Sequence, residues 1–145
     1  MCSRALVWYT IVCMASIFTK ILEREIPAYI VYEDTHTFVI PDKFPSMRGQ
    51  MLVITKREVP YILDLTPEEY EAFWRTTRRV MRAMDEAFST ERTCVVVEGF
   101  EVSHTHARLY PCRDKTLILN PRYEASDEEL REVAERVRVA LKRQR

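Results

Sequence analysis

The sequence predicts an α+β domain: an antiparallel sheet of about five strands, one long helix and a C-terminal helix. Two observations carry that reading. Helix-opening capping boxes stand at Thr66 and Ser126, each followed by apolar residues at helical spacing. Before and between them lie short β-branched or alternating runs separated by turn residues. With 145 residues the chain can bury a core in one domain and has no room for a second. Residues 14–145 are read as that domain and residues 1–13 as an N-terminal extension.

Taken in order, the extension is apolar from Ala5 to Ala15 behind Arg4, which resembles a short signal h-region yet is too short to span a bilayer. Translation from Met14 is the preferred explanation; an extra strand or helix, or a signal peptide, stays open. Ala28–Glu33 and Thr37–Pro41 flank Asp34-Thr35-His36 and read as a hairpin. A turn-rich connection from Pro41 to Gly49 leads into a strand over Gln50–Thr55. Thr66-Pro67-Glu68-Glu69 then opens a helix over about 67–88, its buried stripe Tyr70, Phe73, Trp74, Val80, Met81, Met84 and Phe88. Thr93–Glu98 and Ser103–Tyr110 follow as strands. Ser126-Asp127-Glu128-Glu129 opens a helix over about 127–143, with basic residues in its last turn to complement the helix dipole.

Composition removes several functions. Only Gly49 and Gly99 are glycines, so neither a P-loop nor a dinucleotide fingerprint can be written, and any phosphate chemistry must use side chains. Lys plus Arg equals Asp plus Glu at 22 each, so no net field favours nucleic acid or an anionic membrane, and neither is expected as a partner. Cys2, Cys13, Cys94 and Cys112 form no C-x-x-C pair and read as reduced thiols of a cytoplasmic protein.

The informative segment is Ser103-His104-Thr105-His106-Ala107-Arg108-Leu109-Tyr110-Pro111. On a strand, His104, His106 and Arg108 project to one side at about 7 Å intervals. Burying such a row merely as core would leave polar groups in need of partners. Three readings remain: a metal site, which lacks a third ligand at matching spacing, a solvated polar face, and an anion site in which a neutral imidazole acts as nucleophile or base.

The run His104-Thr105-His106-Ala107-Arg108-Leu109-Tyr110 resembles the signature of the histidine-triad (HIT) family, with Arg108 at the third histidine position. Ser16–Ile21 with Glu25–Asp34, then Asp42, Pro45 and Gly49 before Leu52–Arg57, and Leu63–Glu69 resemble its other blocks, in order, over about two-thirds of the chain. The resemblance implies a HIT-like sheet and a nucleotide hydrolase that cleaves a phosphoanhydride or phosphoramidate bond at a nucleoside α-phosphate. Substrates of that type include dinucleoside polyphosphates such as diadenosine tetraphosphate, and nucleoside phosphoramidates. By the same resemblance His106 attacks phosphorus to form a nucleotidyl-histidine, His104 orients it, Asp42 takes the ribose hydroxyls, and Ile17, Phe18, Ile21, Phe38 and Ile40 line a base slot. A purine nucleotide partner and a homodimer joined edge to edge, with the long helices packed together, are further implications; no cofactor is expected. Asp42 can equally be a turn residue after Pro41, and each apolar slot residue can equally be core.

The chain also departs from the pattern. Arg108 is a permanent cation that cannot shuttle a proton. Val97 stands where a phosphate-contacting asparagine is usual, in front of a short loop carrying Glu98 and Glu101. Ser16, Thr19 and Glu58 occupy positions where zinc-holding members carry Cys and His, and a neutral hydroxyl is a poor zinc ligand, so no metal site is expected. Lys56 and Arg57 either approach phosphates or are solvated, and His36 reads as a surface residue. These departures keep a second function class in view: a catalytically weak nucleotide-binding or protein-interaction module on the same fold.

Overall fold

In the computed structural model, which describes residues 14–144, the order is α1 (Ile17–Leu22), β1 (Tyr32–Glu33), β2 (Thr37–Pro41), β3 (Met51–Thr55), α2 (Pro67–Phe88), β4 (Arg92–Val96), β5 (His106–Cys112) and α3 (Asp127–Arg143). The extension 1–13 and the readings made of it lie outside the described residues. One five-stranded sheet runs in the order β1-β2-β3-β5-β4, every neighbour antiparallel.

Both long helices start where their caps place them. Thr66 Oγ1 accepts from Glu69 N–H while the Glu69 carboxylate accepts from Thr66 N–H, so two backbone donors that the helix leaves unmade are satisfied reciprocally. At α3 only half of the expected box forms. Ser126 Oγ accepts from Glu129 N–H, but the Glu129 carboxylate accepts from Tyr123 Oη–H instead.

Strand alternation sorts the residues between two layers. Met51, Val53, Ala107 and Leu109 are cross-strand partners and turn to α2 and α3, where Phe73, Val80, Met84, Val133 and Val137 complete the main core. The intervening partners Leu52 and Arg108, and Ile54 and His106, turn to the opposite face. There Leu52 and Ile54 join Phe38, Ile40 and, from α1, Phe18 and Ile21. The site therefore lies on the thinly covered face, backed by the densely packed one. Gly49 permits the sharp entry into β3: its φ is +94° and a Cβ would lie 3.0 Å from the Phe88 ring.

Several boundaries differ from the sequence expectations. The first strand is only Tyr32–Glu33, because Ala28–Val31 runs on as irregular chain tied to β2 by the Val31 N–H to Val39 O bond. The fourth strand ends at Val96 rather than Glu98, since the chain must leave the sheet edge to enter the loop at Gly99. The fifth begins at His106 and continues through Pro111 to Cys112, so His104 precedes it rather than lying on it. The helix α1 was not expected; Ser16 nucleates it by accepting from Thr19 N–H. Phe73 is fully buried in this chain's own core, so it is not free for a helix-to-helix dimer contact. Among the described residues no helix is long and apolar enough to cross a membrane.

Candidate active site

Although His104 lies just before β5, it is brought beside His106. Phe18 meets both imidazoles edge-on, its ring centroid 5.7 Å from His104 and 4.9 Å from His106. Both histidines are buried. The ring protons follow from the partners, since a carbonyl can only accept. His106 Nδ1–H donates to the His104 carbonyl at 2.7 Å, which in the neutral ring leaves the lone pair on Nε2. That Nε2 is buried and has no hydrogen-bond partner. Burial, with Arg108 adding to it, lowers the His106 pKa against the opposing pull of the His104 carbonyl, Glu98 and Asp42. The ring is thus held neutral and oriented, with the Nε2 lone pair free of hydrogen bonds.

His104 is the hub that holds it. Its Nε2–H donates to Thr55 O at 2.6 Å, at the end of β3, and its Nδ1 lies 2.6 Å from Ser16 Oγ, at the cap of α1. Burial lowers its pKa as well, so the neutral ring accepts the Ser16 hydroxyl proton. Glu58 Oε2 completes the cluster by accepting from Ser16 N–H at 3.0 Å and Thr19 Oγ1–H at 2.6 Å. Ser16, Thr19 and Glu58, which stand where zinc-holding members carry Cys and His, are joined with His104 by hydrogen bonds that pin α1 to the strands of the site.

Those bonds, Thr19 first, hold the Glu58 carboxyl below its ordinary value of 4.5. A folded-state pKa below the unfolded one adds stability that is complete above the unfolded value and is lost as pH falls through the folded one. Denaturant titrations of wild type and Glu58→Gln are therefore expected to show a constant wild-type advantage from neutral pH down to about pH 5, shrinking below it. An advantage independent of pH down to pH 3 would contradict this role.

Arg108 shares the face with His106 and is only 8% exposed. Its Nη2 donates to Glu101 Oε2 at 2.9 Å. Glu101 is in turn held bidentately by Arg122, at 2.7 Å and 2.6 Å. Arg122 and then Arg108 pull the Glu101 carboxyl down to about 2. Sequence reasoning missed Arg122, which sits in the irregular connection to α3 with no motif around it; the need of a buried Arg108 for a counter-charge signals an acid, met by Glu101, and not a second arginine.

Asp42 is buried at the end of β2. Its Oδ1 accepts from Phe44 N–H, the turn role, and its Oδ2 from Gln50 Nε2–H, while further lone pairs remain for a ligand. Phe18, Ile21, Phe38 and Ile40 form one cluster, but Ile17, the first residue of α1, does not join it and is 47% exposed. Lys56 and Arg57 are neither free nor at the site, being paired with Glu33 and Glu69. His36, in the hairpin turn, pairs with Glu68 of the first turn of α2. Val97 packs against the main core. Cys94 and Cys112 are free thiols.

A buried histidine pair, backbone-held at the start of an inner strand of an open antiparallel sheet, with an arginine alongside, defines the class: an α+β domain of histidine-triad type. Residues 23–115 match the HIT domain, and the chain belongs to that family. An uncharacterised HIT-like protein of Synechocystis is 32% identical over 96 residues, 66% of this chain and 84% of that protein. The adenosine 5'-monophosphoramidase of Saccharomyces cerevisiae is 28% identical over 102 residues, 70% of this chain and 65% of that protein. Among solved structures, a HIT-like protein from Bartonella henselae, described as involved in cell-cycle regulation, superposes with a TM-score of 0.78 at 26% identity, covering 86% of this chain and 95% of that one. The family's named members thus include nucleotide hydrolases.

Proposed function

We propose that the protein is a nucleotide hydrolase that cleaves at a nucleoside α-phosphate through a nucleotidyl-His106 intermediate. The observation that carries this is the Nδ1–H bond of His106 to a backbone carbonyl with Nε2 left free. In the first step Nε2 attacks phosphorus and the bond to the leaving group breaks with its electron pair on that group. The imidazolium so formed keeps its Nδ1–H against the His104 carbonyl, which stabilises the new charge. In the second step water attacks the same phosphorus, the N–P bond breaks, nucleoside monophosphate departs, and a proton passes to solvent.

Arg108 shapes the leaving-group preference. A guanidinium stays protonated at all working pH values and cannot donate a proton to a departing amine, but it stabilises a departing anion. The bond favoured is therefore a phosphoanhydride, as in a dinucleoside polyphosphate, over a phosphoramidate with a basic amine. Asp42 would receive the ribose, and the cluster of Phe18, Ile21, Phe38 and Ile40 a purine base; a homodimer and a cytoplasmic setting complete the proposal. A panel of diadenosine polyphosphates and adenosine phosphoramidates tests it. Turnover of the anhydrides at least about tenfold faster than of the amidates is expected, and the reverse order would contradict the role of Arg108.

The lowered pKa of His106 adds a pH prediction. A group held neutral below 6.5 keeps its lone pair as pH falls, so the acid limb of kcat/KM is expected below pH 6.5. A limb above 6.5 would show that a different group controls the rate. The engagement of Arg108 by Glu101 favours one alternative, a nucleotide-binding module with weak catalysis. Binding of AMP without turnover of any panel member would establish that alternative.

A further inference from the structure

We propose that Glu101 stands in for substrate phosphate: it closes a two-guanidinium clamp formed by Arg108 and Arg122, and a phosphate group beyond the attacked one displaces it. This rests on the proposed reading that a nucleotide's phosphates enter beside His106. Arg108 follows His106 by one strand repeat on the same face, about 7 Å along β5, and its guanidinium extends to Glu101 beside that face. Arg122 brings a second fork from the segment between β5 and α3, outside the histidine motif.

Three features mark the clamp as built for an anion larger than a carboxylate. Among the described residues, Glu101 is the one carboxylate in direct contact with these two permanent cations, so a single group occupies both forks, with Asp42 also acting on Arg122. Both Glu101 oxygens are already taken by three N–H donors, whereas Arg108 Nε is buried and has no partner. A phosphate has more oxygens and more charge, and can take the Arg122 fork together with Nη2 and Nε of Arg108. The third feature is that the exposed partner is the one to be displaced: Arg108 is anchored on an inner strand and buried, while Glu101 is half exposed in the irregular loop between β4 and β5. With its carboxyl near 2, Glu101 is not released by protonation at working pH, only by a competing anion. Glu98 and Asp42, the other acids acting on His106, oppose an anion and make the clamp selective for one that satisfies both guanidiniums.

The test is isothermal calorimetry of the full chain with inorganic pyrophosphate at low ionic strength. Removing the competitor in Glu101→Gln is expected to tighten pyrophosphate binding about tenfold, and Arg122→Ala to weaken it about tenfold relative to wild type. Weaker or unchanged binding in Glu101→Gln would overturn the proposal and make Glu101 a mere support for the arginines. Unchanged binding in Arg122→Ala, or no binding by any of the three proteins, would overturn it as well. Arg122 is near the surface, so its variant remains decisive even if Glu101→Gln folds poorly. Pyrophosphate binding needs no chemistry at His106. Absent turnover beside responsive binding would refute the hydrolase and leave the clamp; turnover beside unresponsive binding would do the opposite.

Discussion

His106→Ala is expected to lower turnover of a dinucleoside polyphosphate by about a thousandfold or more, with AMP binding changed by no more than about threefold. The split follows from the geometry. Nε2 of His106 is the one atom of the histidine pair that is both buried and unpartnered, so it is available to phosphorus. The other nitrogens are engaged: Nδ1 of His106 with the His104 carbonyl, and both nitrogens of His104 with Thr55 and Ser16. Removing the His106 ring therefore removes the proposed nucleophile, while Arg108, Asp42, Phe38 and Ile40 stay on the strands and turn that hold them. Wild-type rates in the variant would place the chemistry elsewhere, and an equal fall in binding would make His106 a ligand contact rather than a nucleophile.

Phe73→Ala is expected to cost about 3–5 kcal/mol of folding stability, read from the shift of a single denaturant midpoint. Phe73 is fully buried where α2 lies under the sheet, in the cluster that contains Met51, Val53, Ala107 and Leu109. Those four residues alternate with Leu52, Ile54, His106 and Arg108 on the same two strands. The cavity left by the ring opens directly behind the site, in a layer too tightly packed to close it fully. A loss under about 1 kcal/mol would show that α2 is not the support of β3 and β5.

What the sequence made legible follows the reach of its signals. Local signals, the proline-containing capping box at Thr66, the hairpin flank Thr37–Pro41 and the β-branched run Gln50–Thr55, place α2 and the sheet centre within a residue or so. The placement of His106 and Arg108 on one face also followed from alternation alone. Misplaced features depend on contacts distant in sequence. His104 leaves the strand because Thr105 is taken by Val59, through both its N–H and its Oγ1–H, while the His104 ring spans Thr55 and Ser16. Glu129 abandons its box for Tyr123, and Glu101 is shared with Arg122. Ile17 is expected in the slot with its neighbours, yet as the first residue of α1 it stays 47% exposed although Ile21, one turn along the same face, is buried. None of these pairings has a spacing rule from which it could be read.

The covalent intermediate is the most direct test of the central claim. Rapid-quench intact-mass analysis of wild type mixed with a diadenosine polyphosphate is expected to show a transient adduct of one adenylate per chain, acid-labile as a phosphorus–nitrogen bond is, mapping to His106 and absent from His106→Ala. An adduct on another residue, or turnover with no adduct at any quench time, would contradict the account.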